Sequence, residues 1–237
     1  MKWPLAILGA ILLFNFAMSP EFFAIELREG RLYGSLIDIV NRAVPVLLLA
    51  LGMTLVIATR GVDLSVGSVM AISGAVAASL IAQPEGGLLS NLPALGVPAV
   101  ILVALAVAAV CGAFNGILVA FFKIQPIVAT LLLMVAGRGV AQLVTNGQIV
   151  IFQEPSFQSL GNGTFMFLPI PIWIFAGLAS LLGVFVRYTA LGDFVAATGS
   201  SPTAAEYAGV RTDRIKVCCY VLCALGAGLA GLIGTAD

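Results

Sequence analysis

Residues 95–122 read LGVPAVILVALAVAAVCGAFNGILVAFF, with no charged side chain. About 20 mainly apolar residues in a helix cross the hydrocarbon core of a bilayer. The stretch exceeds that length, and its apolar residues run continuously rather than alternating. Continuity fits a helix and excludes a barrel strand. The segment therefore reads as a transmembrane helix.

Working outward, six more segments approach the same length and character: 3–18, 43–59, 62–82, 124–144, 165–186 and 215–236. Breaks fall at 20–42, 60–61, 83–93, 123–126, 146–164 and 187–214, where Pro, Gly and charges gather. The expected fold is an all-α polytopic transmembrane bundle of about seven spans, one domain over 1–237. Its largest loop is the cytoplasmic one at 187–214.

Composition agrees. Apolar residues make up 61% of the 237 and charged ones 9%, far from the balance of a soluble domain. Eleven Lys and Arg offset eleven Asp and Glu, which leaves no electrostatic case for nucleic acid. Histidine is absent, which removes Ser-His and Cys-His nucleophiles and most zinc sites. Cys111, Cys218, Cys219 and Cys223 form no CxxC and read as small packing residues. Ala17 and Ser19 are spaced like a signal cleavage site, but Pro20 after the cut is unfavourable, so 3–18 reads as an uncleaved span.

An N-terminus in the cytoplasm puts Lys2, Arg60, Lys123, Arg187, Arg211, Arg214 and Lys216 inside, against Arg28, Arg31, Arg42 and Arg138 outside. The positive-inside rule favours that orientation. Trp3, Trp173, Tyr188 and Tyr220 lie near span ends, as interface anchors do. Small residues recur at Gly112 and Gly116, and at Gly226, Ala230 and Gly234, a spacing that lets helices approach closely. The joints at 59–62 and 122–125 are too tight for ordinary loops. They predict helices that break within the membrane, which is tolerable only against protein or a wet cavity.

Candidate chemistry concentrates near those joints. Asp63, followed by Ser65 and Ser68, reads as a helix N-cap, as a polar group facing a solute path, or as both. Asn115, Gln125, Thr130 and Gln142 read either as interhelical hydrogen-bonding groups or as the lining of a path for an uncharged, hydroxyl-rich solute. Arg138 is an ionisable group inside an apolar run, a pathway candidate unless it snorkels to the headgroups. Within 199–209, Ser200, Ser201 and Pro202 look like a helix start and Gly209 like its stop. Ala205, Glu206 and Tyr207 sit on that short helix, either interfacial or a dock for a soluble partner.

The run Arg60-Gly61-Val62-Asp63-Leu64-Ser65-Val66-Gly67 resembles the Gly-Gly-Ile-Asp-Leu-Ser-Val-Gly signature of bacterial ABC sugar-importer permeases of the ribose, xylose and galactose type. Further matching stretches are Phe114-Asn115-Gly116-Ile117-Leu118-Val119, Lys123-Ile124-Gln125-Pro126 and Thr189-Ala190-Leu191-Gly192. Met134 to Leu143 is most similar to the galactofuranose-importing members.

The resemblance implies an inner-membrane permease for a monosaccharide, with no bond chemistry and no cofactor of its own. ATP would be bound by a cytoplasmic ATPase partner. A second permease subunit, identical or not, and a periplasmic sugar-binding protein would complete the importer. It implies that the helix from Pro202 to Gly209, with Ala205, Glu206 and Tyr207, couples to the ATPase. Asp63, Ser65 and Gly67 fall in the signature near the pathway. Two departures stand out. Arg60 replaces the first signature glycine, and the chain ends at Asp237 directly after an apolar run where the family continues. The resemblance thus implies a C-terminally shortened domain.

The alternative function is a secondary transporter driven by an ion gradient. It calls for intramembrane acids, of which only Asp63 is well placed. An intramembrane enzyme would need paired carboxylates or a histidine, and the spans carry neither.

Overall fold

The computed structural model describes residues 2–24, 26–28, 31–83, 89, 93 and 95–237. The expected break at 83–93 lies largely outside the described residues, as do the side chains of Lys2, Arg28 and Arg31. The helices are α1 (Lys2–Met18), α2 (Ser35–Ala58), α3 (Val66–Ala82), α4 (Val97–Ala120), α5 (Pro126–Val144), α6 (Pro155–Asn162), α7 (Ile170–Tyr188), α8 (Ala190–Ser200), α9 (Pro202–Tyr207) and α10 (Thr212–Ala236). A short 3-10 turn, Pro20–Phe23, follows α1.

Among the described residues, five helices are long and apolar enough to cross a membrane: α2, α4, α5, α7 and α10. The chain is a multi-pass α-helical membrane protein. The other two expected spans form α1 and α3, each of 17 residues. At 1.5 Å per residue they are about 25 Å long. α2 begins at Ser35, well before the expected 43. Leu36, Ile37, Ile39, Val40 and Val44 carry an apolar stripe past the polar Asp38 and Asn41, so the helix starts earlier than the apolar run.

Helix α10 is the hub and packs against α2, α3 and α4, while α5 packs on α3 and α7 on α2. Small residues make this possible. Along α4, Ala104, Ala108, Gly112, Gly116 and Ala120 are buried at intervals of four. A stripe with that interval winds slowly around a helix of 3.6 residues per turn, so packed partners cross at an angle. A Cβ on Gly112 would meet Ala224 Cβ and the Tyr220 carbonyl at 2.6 Å, and one on Gly116 would meet Val217 Cα at 2.8 Å. Only glycine allows the backbones that close. Gly226 and Gly234 on α10 turn instead toward Leu48 of α2 and Met70 of α3.

Large apolar side chains point the other way. Leu102, Val110, Val135, Leu143 and Leu181 are well exposed, as lipid-facing groups should be. Tyr220 departs from its expected interfacial place and is fully buried in the core beside Cys219 and Cys223. All four cysteines are free thiols.

The bundle has two chemically distinct ends. Arg60 and Lys123, which close α2 and α4, bond Ser200 and Asp213 respectively, so these joints share an end with α8, α9 and the start of α10. Two small antiparallel hairpins, β1 (Glu26–Arg28) with β2 (Arg31–Tyr33) and β3 (Thr164–Phe165) with β4 (Leu168–Pro169), cap the opposite end. The Leu32 amide donates to the Phe167 carbonyl at 3.0 Å and joins them. The expected loops at 146–164 and 187–214 thus contain helices of their own: α6 in one, α8 and α9 in the other.

Candidate functional site

Helix α2 ends in a Schellman turn. The Arg60 amide donates to the Ile57 carbonyl at 2.9 Å, and the Gly61 amide to that of Val56, also at 2.9 Å. That motif needs a left-handed residue just past the cap, a place glycine normally fills. Arg60 fills it here, with φ 62°. The chain then runs without regular secondary structure from Gly61 to Ser65 before α3, so the tight joint is a break between two helices.

Asp63 sits in this gap, and it is not the N-cap of α3. Ser65 is the cap residue. The Asp63 carboxylate accepts from the Ser65 amide at 2.9 Å and from the Ser65 hydroxyl at 2.6 Å, an Asx-type turn that fixes the approach to α3. The Ser65 hydroxyl in turn accepts from Asn115 Nδ2 of α4 at 2.8 Å. Ser68, one turn on, donates to the Ser65 carbonyl and, at 3.2 Å, to the Leu133 carbonyl of α5. Asp63, Ser65, Ser68 and Asn115 are all buried. One polar cluster therefore links α3, α4 and α5 where the apolar bundle is interrupted.

Asn115 is 0% exposed, and its Oδ1 has no hydrogen-bond partner among the described residues. A buried acceptor left unmade costs roughly 1–3 kcal/mol, so its position is chemically conspicuous. Tyr220 closes the cluster from α10, donating to the Val62 carbonyl at 3.1 Å. Sequence reading missed it because aromatic residues near span ends usually sit at headgroups. Its hydroxyl was the available signal, since a buried tyrosine needs a partner and a break in a neighbouring helix offers free carbonyls.

The other pathway candidates are placed differently. Thr130 is buried and donates to the Pro126 carbonyl of its own helix at 2.9 Å. Gln125, the residue before α5, lines a cavity of about 260 Å³ with Arg60, Lys123, Pro202, Lys216 and Tyr220. Both tight joints border this cavity. Arg138 and Gln142 lie exposed on α5, away from the cluster.

At the same end, α9 forms as its sequence suggested. Ser201 is the N-cap, its hydroxyl accepting from the Ala204 amide at 3.3 Å, and Pro202 begins the helix. Gly209, at φ 87°, closes it with a Schellman turn in which the Val210 amide donates to the Ala205 carbonyl at 2.9 Å. Ala205 is buried against the body. Glu206 accepts from the buried Thr212 hydroxyl at 2.6 Å, which fastens α9 to the start of α10. Tyr207 stands 89% exposed.

Residues 35–237 match the family described as the branched-chain amino acid transport system permease component. The chain belongs to this permease family. Over its full length the permease is 48% identical to a galactofuranose transporter permease protein of Escherichia coli, covering 68% of that protein. It is 37% identical over 88% of its length to a fructose import permease protein of Bifidobacterium longum, covering 57% of it. It is 35% identical over 92% of its length to a ribose import permease protein of Escherichia coli, covering 64% of that protein. The permease thus spans about two thirds of the length of these curated relatives. No solved structure matches it.

Proposed function

We propose that the chain is a membrane permease subunit of an ATP-driven importer that carries a monosaccharide of the galactofuranose or ribose kind across the bacterial inner membrane. The names of the three relatives support the substrate class. The observation that carries the reading is the buried Asp63–Ser65–Asn115 cluster, with its unpaired Asn115 Oδ1 at a helix break. A neutral polyol offers hydroxyl donors to such an acceptor, and it needs no counter-ion. Ser68 and Tyr220 brace this cluster, with Gln125 and Thr130 toward the α4–α5 joint. Arg138 and Gln142 face a neighbour or the headgroups from the exposed side of α5.

In this reading α1 and α3 cross with the five longer helices, making seven spans. The end that carries Arg60, Lys123, Arg211, Arg214 and Lys216 faces the cytoplasm, in keeping with the positive-inside rule, and so does the N-terminus. The segment 187–214 is the cytoplasmic loop, and α9 docks a cytoplasmic ATPase through Tyr207. A second permease subunit and a periplasmic sugar-binding protein complete the assembly. The ATPase binds the ATP, and its closure shifts the permease between two conformations of opposite access.

Proteoliposomes holding the permease with its ATPase and binding protein should take up sugar only when ATP is supplied. Tyr207→Ala should weaken ATPase capture from detergent at least tenfold, since exposed aromatic anchors carry about 2 kcal/mol or more at interfaces. Membrane insertion should be unaltered. Uptake by the permease alone on a sodium or proton gradient would replace this reading with a secondary transporter.

A further inference from the structure

We propose that Arg60 is a positioning residue that ties the α2–α3 joint to the docking helix, so that movement of α9 reaches the Asp63 turn directly. The proposal rests on the docking role given to α9 above.

The Arg60 guanidinium donates from Nη2 to the Ser200 carbonyl at 2.6 Å, across 140 residues of sequence. Ser200 is the last residue of α8, and its carbonyl is among those a helix end leaves without an internal partner. A guanidinium is well matched to it, because it brings a charge-assisted bond to the negative end of the helix. Arg60 thus caps α8 from another part of the chain. The next residue, Ser201, is the N-cap of α9. The bond therefore lands on the pivot between the two helices.

A second contact holds the same two segments together. Gly199 lies so close to the Ala58 carbonyl, at the end of α2, that any side chain there would collide with it. The end of α8 and the end of α2 are in backbone contact, and Arg60 reaches across the same seam. On the other side, Tyr220 holds the Val62 carbonyl and Asp63 holds Ser65, which Asn115 bonds. A continuous set of bonds runs from the α9 cap through Ser200, Arg60 and the Asp63 turn to Asn115 on α4.

The backbone makes the choice of arginine informative. At φ 62° a glycine would be unstrained, and an arginine is not. A solvated cation serving only the headgroups would have no reason to occupy that position and bond a helix terminus.

The test compares Arg60→Gly and Arg60→Lys in the reconstituted importer. Glycine keeps the left-handed turn, so the melting temperature should hold or rise and the ATPase should still be captured. Its ATP consumed per sugar carried should rise at least fivefold. Lysine retains a donor and a charge, and should recover part of that ratio. An unchanged ratio in Arg60→Gly would overturn the proposal. So would a ratio change that merely tracks a fall in melting temperature. If Tyr207→Ala leaves ATPase capture intact, it is the docking reading that fails, whatever Arg60 does.

Discussion

Replacing Gly112 with valine is expected to lower the thermal unfolding midpoint in detergent by about 5–10 °C. The first added carbon would sit 2.6 Å from both Ala224 Cβ and the Tyr220 carbonyl and 2.9 Å from Val221 Cα. Two of these three atoms are backbone on α10, so no rotamer change relieves the clash and the helices must separate. Overpacking of this kind costs roughly 1–3 kcal/mol. In a domain of this size each kcal/mol is worth about 2–4 °C. Separation would also loosen the neighbouring contact at Gly116, which argues for the upper end of that range. Gly177→Val on α7 is the control, because among the described residues nothing lies within 4 Å of the added carbon. It should shift the midpoint by no more than about 1–2 °C, as surface substitutions do. Equal shifts in the two variants, read by size-exclusion after heating, would refute close packing of α4 on α10.

The second large effect is expected at Asp63. Asp63→Ala removes the acceptor for the Ser65 amide and hydroxyl, both buried. Each stranded donor costs roughly 1–3 kcal/mol. Ser65 is then free to turn away from Asn115, which breaks the hydrogen bond that joins this break to α4. Uptake in the reconstituted importer should fall at least tenfold, with less folded protein recovered. Asp63→Asn keeps a carbonyl oxygen in place and should retain more uptake than alanine. The discriminating measurement is the order of the three. If Asn and Ala lose uptake equally while both fold normally, the charge itself matters, and the hydrogen-bonded turn is not the reason for the acid.

How much of this was legible in the sequence differs by element. The bundle was, because a bilayer admits few alternatives to continuous apolar helices. The ends of α9 were equally plain: Ser201, Pro202 and Gly209 each act locally, and local chemistry survives folding. The start of α2 was not, since polar Asp38 and Asn41 hid a helical stripe that continues beneath them. The candidate site was legible in composition and not in grouping. Asp63, Ser65, Ser68 and Asn115 come together because α3 and α4 pack, while Arg138 and Gln142 fall on the outer side of α5. Which face of an apolar helix turns inward is a tertiary fact. In lipid, small residues mark the inward face and bulky ones mark the outside, the reverse of a soluble protein. Gly112 and Gly116 obey that rule, and reading α5 by it would have turned Gly137 inward and Arg138 outward.

The central place of α10 also bears on how the chain is made. Helices α2, α3 and α4 leave the ribosome before it, and the faces they turn toward α10, at Gly52, Gly74, Gly112 and Gly116, stay uncovered until it arrives. Synthesis of the stretch from Ala120 to Ala236 takes roughly 6–23 s at about 5–20 residues per second. During that interval the half-built bundle waits in or beside the insertion channel with its polar seams unsealed. Delay in translation there would prolong exposure to membrane proteases, so the yield of intact protein is tied to elongation speed across this one region.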